Sequence, residues 1–244
     1  MKSWSTNGMG RFALDVIVCV VIVLVVTTGL SQLLTWLGVS TAVPSLLKVV
    51  AIITMQNAAI LGYVYWRMQH HDSRTTRIGW RSRTSWVGTC LWSVPAVFMA
   101  NLVVAGGFAL FGVRHNQAAS YPLSAGDTLG QLVFALVAVI VAPLCEEILF
   151  RGYLLGRLRS MMPTWIAVVA SALLFALAHS FAAKSGAIVL VVGTFVMGMI
   201  LGWARVVSRS LWPAVVAHMV NNGVAITAVT YCINHPGRGC ALSP

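Results

Sequence analysis

The chain has 244 residues, of which 59% are hydrophobic and 9% are charged. A soluble domain carries about 25% charged residues, so this composition excludes a soluble protein and predicts an integral membrane protein. The apolar runs are continuous rather than alternating, which favours transmembrane helices over a barrel. The formal net charge of +11 does not indicate nucleic acid as a partner, because basic residues of membrane proteins collect in cytoplasmic loops.

Seven apolar windows are long enough to cross a bilayer, which takes about 20 residues each. They are 12–37, 43–66, 87–113, 128–158, 164–183, 187–205 and 211–231. We read the first window as a retained transmembrane helix, since it is too long for the apolar core of a signal peptide. The pattern predicts an all-α helix bundle that forms one membrane domain over residues 1–244, with three helices in 12–113 and the remaining ones in 128–231.

The distribution of Lys and Arg predicts the orientation of the bundle. If seven spans start from an inside N-terminus, eleven basic residues fall on the cytoplasmic side and four on the other. The positive-inside rule therefore favours an N-in, C-out topology.

The fourth window contains the chain's only two glutamates, Glu146 and Glu147, followed by Arg151. Each ionisable side chain at bilayer depth costs roughly 2.5 kcal/mol or more, so such residues indicate a functional site. On a helix, Glu147 and Arg151 lie four residues apart on one face and can form an ion pair. Glu146 points about 100° away and has no partner on its own helix. Pro143, three residues earlier, is expected to kink the helix.

The fifth window carries Phe175 and His179 at helical spacing. Residues equidistant from the turn of an antiparallel helix hairpin lie at equal depth. The midpoint between positions 146 and 179 falls next to Pro163, which marks that turn. We therefore expect Glu146 and His179 to meet at one level of the bundle.

The seventh window carries His218 and Asn222, again four residues apart on one face. Interhelical hydrogen bonding is the usual role of such polar residues in a membrane bundle. From its distance to the cytoplasmic end, His218 is expected to lie shallower than His179, so a helix offset or tilt is needed to bring the two together.

A carboxylate base, imidazoles and an amide donor that converge inside a bundle suit peptide hydrolysis. The base activates water, and the donors stabilise the oxyanion that develops on the scissile carbonyl. The intramembrane polar residues that supply these groups are Glu146, Glu147, Arg151, His179, His218 and Asn222.

Three short motifs, E-E-x-x-x-R, F-x-x-x-H and H-x-x-x-N, occur in this order on successive late spans. In this respect the chain resembles the CPBP family, the CAAX proteases and bacteriocin-processing enzymes also known as Abi. The resemblance covers roughly residues 128–223 and matches all three motifs, while the first three helices carry no motif of the family.

The resemblance implies an intramembrane endopeptidase whose catalytic core is 128–231. It implies that Glu146 activates water with the help of His179, and that His218 and Asn222 form the oxyanion site. The remaining motif residues, Glu147, Arg151 and Phe175, would then be structural and orienting.

A metal-dependent reaction is the alternative to this metal-free one. A catalytic zinc site takes three protein ligands and a water, and Glu146, His179 and His218 are the residues that could supply them. Glu146 would then be a ligand, which leaves Glu147 as the base although it is expected to pair with Arg151. We therefore expect no required cofactor. A thiol mechanism through Cys145 is disfavoured, because adjacent helical residues do not face each other.

The sequence leaves the substrate open among a prenylated CAAX tail, a bacteriocin or pheromone precursor and another membrane peptide. Two other functions compete: a non-enzymatic scaffold or bacteriocin-immunity protein that sequesters a peptide, and a proton-coupled transporter. Transporters usually show internal repeats, which are not visible here. The small size favours a multi-pass protein of a bacterial inner membrane. Cys232 and Cys240 would form a disulfide if the tail faces an oxidising compartment.

Overall fold

The computed structural model describes residues 6–38, 46–71, 78–80, 86–113, 121–180 and 187–235. Within these ranges the chain is helical, as the sequence predicts, and it forms seven helices. They are α1 (Thr6–Trp36), α2 (Leu46–His71), α3 (Trp86–Leu110), α4 (Thr128–Met161), α5 (Thr164–Ser180), α6 (Ala187–Ser208) and α7 (Trp212–Asn234).

Six of these helices are long and apolar enough to cross a membrane, and the chain is an integral multi-pass membrane protein. The exception is α5, which has 17 residues. At 1.5 Å per residue it measures about 26 Å, slightly less than the hydrocarbon core of about 30 Å. The end predicted for the fifth span, 164–183, falls on residues 181–186, which lie outside the described part of the chain. The N-in, C-out topology and the bacterial inner membrane stay predictions.

Helix α4 is not a uniform α-helix, because it contains two π-helical segments at Leu136–Val141 and Ile148–Leu154. Such segments are rare and occur often at functional sites. They flank the α-helical segment Ala142–Glu147, which carries Pro143 and both glutamates. The hydrogen-bond register thus changes on both sides of the glutamate pair, whereas the kink that the sequence predicts at Pro143 stays a prediction.

Helices α5 and α6 approach closely because small residues line their interface. A Cβ atom on Gly198 would lie 3.0 Å from both Cα and Cβ of Ala172, and one on Gly202 would lie 3.0 Å from Val168. Gly198 and Gly202 form a small-xxx-small pair, the pattern that lets helix backbones meet inside a membrane. This contact holds α5, and with it His179, firmly against the bundle.

A buried ionic cluster joins α1 and α2 to α4. Asp15 is fully buried and accepts hydrogen bonds from Arg67 at 2.7 Å, from the Tyr63 hydroxyl at 2.7 Å and from the Tyr153 hydroxyl at 2.8 Å. Arg157 lies 3.9 Å from the same carboxylate. Since Tyr153 is six residues beyond Glu147 on α4, this cluster links the N-terminal helices to the helix that carries the glutamates.

The cysteines fall into two groups. Cys19, Cys90 and Cys145 are free, and both Cys19 and Cys145 are buried. Cys232, near the end of α7, is disulfide-bonded. Its expected partner, Cys240, lies outside the described residues.

Candidate active site

Two imidazoles from two other helices converge at Glu146 of α4. Its Oε2 atom lies 3.7 Å from Nε2 of His179 on α5 and 3.8 Å from Nε2 of His218 on α7. The sequence predicts that Glu146 and His179 lie at equal depth, because they are equidistant from the turn at Pro163. The distance of 3.7 Å between their side chains agrees with this prediction. His218, expected to be shallower, reaches the same carboxylate.

The imidazole of His179 has a defined orientation and tautomer. Its Nδ1 lies 2.8 Å from the backbone carbonyl of Phe175, one turn earlier on α5. A carbonyl only accepts hydrogen bonds, so Nδ1 carries the hydrogen and donates it. In the neutral ring Nε2 therefore keeps its lone pair, and this atom faces Glu146.

The imidazole of His218 is held in the same way, but by a carboxylate. Its Nδ1 lies 2.9 Å from Oε1 of Glu147, which also accepts a 2.8 Å hydrogen bond from Nη1 of Arg151. The side chains of Glu147 and Arg151 are fully buried, and that of His218 is 2% exposed. Glu147 thus forms the ion pair that its spacing predicts and also orients His218, an interaction that spacing along one helix does not reveal.

Phe175 is the packing centre of the site. Its ring centroid lies 4.4 Å from that of His179 and 5.7 Å from that of His218, edge to face in the second case. The guanidinium carbon of Arg151 lies 4.2 Å from the same centroid, in a cation–π contact. Because the ring is fully buried between these groups, it fixes the spacing between the two imidazoles and the ion pair.

The polar atoms that face one another at Glu146 are hydrogen-bond acceptors when both imidazoles are neutral. The Glu146 side chain is 26% exposed, yet its Oε2 is buried and has no hydrogen-bond partner among the described residues. The facing Nε2 atoms of His179 and His218 are acceptors in the neutral rings, and the separations of 3.7 and 3.8 Å exceed hydrogen-bond length. When both rings are neutral, these three acceptors suit a ligand that brings hydrogens, such as a water molecule.

Asn222 reaches α4 through a carbonyl that the local backbone makes available. Its Nδ2 donates to the carbonyl of Ala138 at 2.9 Å. In the π-helical segment the amide of Ala142 donates to Val137 instead of Ala138. The next residue, Pro143, has no amide hydrogen, so it cannot donate to Ala138 in the π-helical register. The proline and the π turn together create the acceptor that holds Asn222.

A cavity of about 380 Å³ opens beside these groups. Its walls are mostly apolar side chains of α3, α6 and α7, and its polar lining includes His179, His218 and Asn222. Burial raises the pKa of Tyr121, which also lines the cavity, to about 12, so its phenol stays protonated at neutral pH. Such a chamber can receive a largely apolar segment and present it to the imidazoles.

The donor types at the site are those of a catalytic zinc centre. Two imidazoles that donate Nδ1 outward resemble metal ligands with their outer hydrogen bonds. The residues that would hold the ion are Glu146, His179 and His218. However, no group of three or more His, Cys, Asp or Glu side chains is arranged to hold a metal ion within the described ranges. That the reaction requires no cofactor stays a prediction.

Two cavity residues are not indicated by any sequence motif. Asn101 on α3 donates from Nδ2 to Oδ1 of Asn221 at 2.6 Å, and Asn221 donates in turn to Oδ1 of Asn222 at 3.3 Å. The available signal was the presence of an asparagine within the apolar third span, since intramembrane amides usually hydrogen-bond to other helices.

Residues 128–224 match the family model of the type II CAAX prenyl endopeptidase Rce1-like proteins. The match starts at the first residue of α4 and ends within α7 just beyond Asn222, so it includes all three motifs, while α1, α2 and α3 lie outside it. This finding confirms the family resemblance of that segment and supports a membrane protease. No curated protein and no solved structure matches the chain.

Proposed function

From the match of residues 128–224 to a family of membrane endopeptidases, we propose that the protein hydrolyses a peptide bond in a membrane-associated protein or peptide. The observation that carries the proposal is the convergence of Glu146 with Nε2 of His179 and of His218, at 3.7 and 3.8 Å. A base beside two imidazoles at the edge of an apolar cavity suits hydrolysis better than simple binding.

Glu146 is proposed as the general base. In its ionised form Oε2 accepts one hydrogen of a water molecule, and Nε2 of His179 accepts the other. The water then keeps a lone pair directed at the scissile carbonyl carbon, and its proton passes to Glu146 as the carbon–oxygen bond forms. When the carbon–nitrogen bond breaks, Glu146 returns that proton to the leaving amine, so the products are a carboxylic acid and an amine.

His218 is proposed to stabilise the developing oxyanion. To donate from Nε2 while Nδ1 donates to Glu147, the ring must carry both hydrogens and a positive charge. Nδ1 lies 2.9 Å from Oε1 of Glu147, and this contact directs Nε2 toward the space beside Glu146. Arg151 holds Glu147 from the other side at 2.8 Å. The ion pair would thus orient His218 without touching the substrate.

Asn222 is proposed as the second oxyanion donor. Its amide nitrogen carries two hydrogens, and one of them is used in the 2.9 Å bond to Ala138. The other hydrogen is directed by that bond and is available to a substrate carbonyl in the cavity. A donor fixed in advance costs no reorganisation during the reaction, which is why such groups contribute strongly to catalysis.

The substrate is proposed to be a peptide with an apolar segment that enters the 380 Å³ cavity. The name of the matched family points to prenylated C-terminal CAAX sequences, and these are the first substrates to test. Unprenylated membrane peptides, such as a bacteriocin precursor, are the alternatives and differ in the absence of a thioether-linked lipid.

The test is peptide hydrolysis by the purified protein in detergent, with prenylated and unprenylated CAAX peptides and a mixed peptide library as substrates. Wild type, Glu146→Gln and chelator-treated wild type are compared. We expect cleavage by wild type with and without chelator, and none by Glu146→Gln. Cleavage that chelation abolishes and zinc restores would overturn the metal-free mechanism. If wild type binds a peptide but cleaves none of these substrates, the data would favour a sequestering scaffold instead.

A further inference from the structure

Three side-chain amides form a continuous hydrogen-bonded chain from α3 across α7 to α4. Asn101 donates to Asn221 at 2.6 Å, Asn221 donates to Asn222 at 3.3 Å, and Asn222 donates to the carbonyl of Ala138 at 2.9 Å. We propose that Asn101, which lies outside the family-matched segment, is a positioning residue that sets the orientation of the Asn222 amide through Asn221. The inference rests on the proposed function of the site.

The donor-to-acceptor direction of the three hydrogen bonds follows from the last acceptor, the carbonyl of Ala138. The Ala138 carbonyl can only accept, so the Asn222 group beside it must be the NH2 and not the oxygen. Oδ1 of Asn222 then faces Asn221, which must present its NH2 in turn. Oδ1 of Asn221 is left facing Asn101, whose NH2 completes the series. Each amide is thus assigned by its neighbour, and a flip of any one of the three breaks at least one hydrogen bond of the series.

Adjacent positions on α7 allow this connection between helices. Asn221 and Asn222 differ by about 100° around the helix axis, so one can face α3 while the other faces α4. Helix α3 packs against both α6 and α7, and Asn101, Asn221 and Asn222 all line the same cavity as His218. Asn101 therefore acts on the site from the part of the cavity lining that α3 supplies.

The hydrogen-bonded series fixes both the oxygen and the nitrogen of the Asn222 side-chain amide. Ala138 binds the NH2 and Asn221 binds the oxygen. With both ends bound, the remaining hydrogen of Nδ2 has one direction. Without the donor from Asn101, Asn221 can rotate or flip, and Asn222 loses the bond to its oxygen. A small misplacement of an oriented group lowers the rate of the chemical step. Loss of the Asn101 donor should therefore lower kcat and leave substrate binding unchanged.

The experiment is a double-mutant cycle on peptide cleavage with wild type, Asn101→Leu, Asn222→Ala and the double variant. We expect Asn101→Leu to lower kcat by about tenfold with KM nearly unchanged. In the absence of the Asn222 amide the positioning role has no target, so the double variant should cleave at about the rate of Asn222→Ala alone. A purely structural role of Asn101 would instead lower the rate further in the double variant.

Two controls keep the test decisive. Ser93→Ala alters a fully buried hydroxyl on the same helix, α3, and should leave kcat unchanged. If Asn101→Leu does not fold, as judged by thermal unfolding in detergent, Asn101→Ala removes the same donating NH2 with a smaller side chain. It should show the same loss of kcat. Glu146→Gln, assayed in parallel, identifies cleavage that depends on the proposed base.

The outcomes separate the two proposals. Glu146-dependent cleavage that Asn101→Leu leaves unchanged, or that falls multiplicatively in the double variant, would overturn the role of Asn101 alone. A change in KM at constant kcat would also overturn it and would assign Asn101 to substrate recognition. Absence of any Glu146-dependent cleavage in wild type would overturn the proposed function, and the role of Asn101 with it.

Discussion

Nδ1 of His218 lies 2.9 Å from Oε1 of Glu147, and this buried hydrogen bond joins α7 to α4. The same imidazole presents Nε2 to Glu146 at 3.8 Å. Two adjacent glutamates therefore meet opposite nitrogens of one ring. Glu147 orients the ring through Nδ1, and Nε2 on the other side of the ring faces the carboxylate of Glu146.

Substitutions of His218 should separate the structural role of Nδ1 from the proposed catalytic role of Nε2. In His218→Asn the shorter amide can keep the donor to Glu147, but no atom replaces Nε2. We expect this variant to remain folded and to lose about 100-fold or more in kcat, as when one oxyanion donor is removed. Thermal unfolding and steady-state kinetics of His218→Asn and His218→Leu check this prediction. Full activity of His218→Asn would remove Nε2 from the reaction.

Asn222→Ala should lower turnover more than substrate binding, because the amide is proposed to contact only the transition state. We expect kcat to fall by about 100-fold, with KM within a small factor of the wild-type value. Steady-state kinetics with a single cleaved peptide measures both constants. Weakened binding at an unchanged kcat would assign Asn222 to recognition of the substrate.

Arg151→Ala should damage folding more than chemistry. The substitution leaves Glu147 buried without the guanidinium that contacts it at 2.8 Å. Removal of one partner from a buried ion pair costs about 3–5 kcal/mol. We expect a lower yield from membranes and a lower midpoint of thermal unfolding in detergent. Arg159→Ala, an exposed arginine on the same helix, is the matched control and should behave like wild type. Wild-type stability of Arg151→Ala would contradict the orienting role of the pair.

Asp15 should be as important for stability as the ion pair, although it lies outside the matched segment. Asp15→Leu removes the acceptor that Arg67, Tyr63 and Tyr153 share. Loss of one partner of a buried charge costs about 3–5 kcal/mol, whereas loss of the Asp127 cap at the start of α4 in Asp127→Ala costs about 1 kcal/mol. Unfolding midpoints of the two variants measure the contrast. Equal midpoints would mean that the Asp15 cluster does not hold α1 and α2 to α4.

Gly198→Val should separate α5 from α6. A Cβ atom at this position would lie 3.0 Å from the backbone of Ala172, and overpacking of this kind costs about 1–3 kcal/mol. Since His179 is on α5, we expect reduced activity together with a lower unfolding midpoint. Gly107→Ala, where a Cβ meets nothing within 4 Å, is the control. Unchanged stability of Gly198→Val would show that the interface can relax.

Features that depend on one helix or one hairpin could be predicted from the sequence. The i,i+4 spacing indicated the contact of Glu147 with Arg151, and the distance from the turn at Pro163 indicated the common depth of Glu146 and His179. Both arguments use only helix geometry and chain position. The all-helical fold likewise follows from the length of the apolar runs.

Features that depend on the lateral packing of distant helices could not be predicted in this way. The hydrogen bond between Asn101 and Asn221 requires α3 to lie beside α7, and nothing in either span specifies that neighbour. The contacts of Asp15 require α1, α2 and α4 to meet, although a lone aspartate in the first apolar run was a visible signal. The sequence position of His218 indicated that an offset or tilt is needed to bring it to His179. The size of that offset is set by helix packing, so the 3.8 Å approach of His218 to Glu146 could not be predicted.

The most direct test of the central claim, that Glu146 activates water, is a single-turnover cleavage in H2¹⁸O with enzyme in excess over peptide. Direct attack by water predicts one ¹⁸O atom in the new carboxylate of the product and no cleavage by Glu146→Gln. A product that carries only ¹⁶O after one turnover would mean that an enzyme oxygen attacked the peptide. That result, or cleavage by Glu146→Gln at the wild-type rate, would contradict the account.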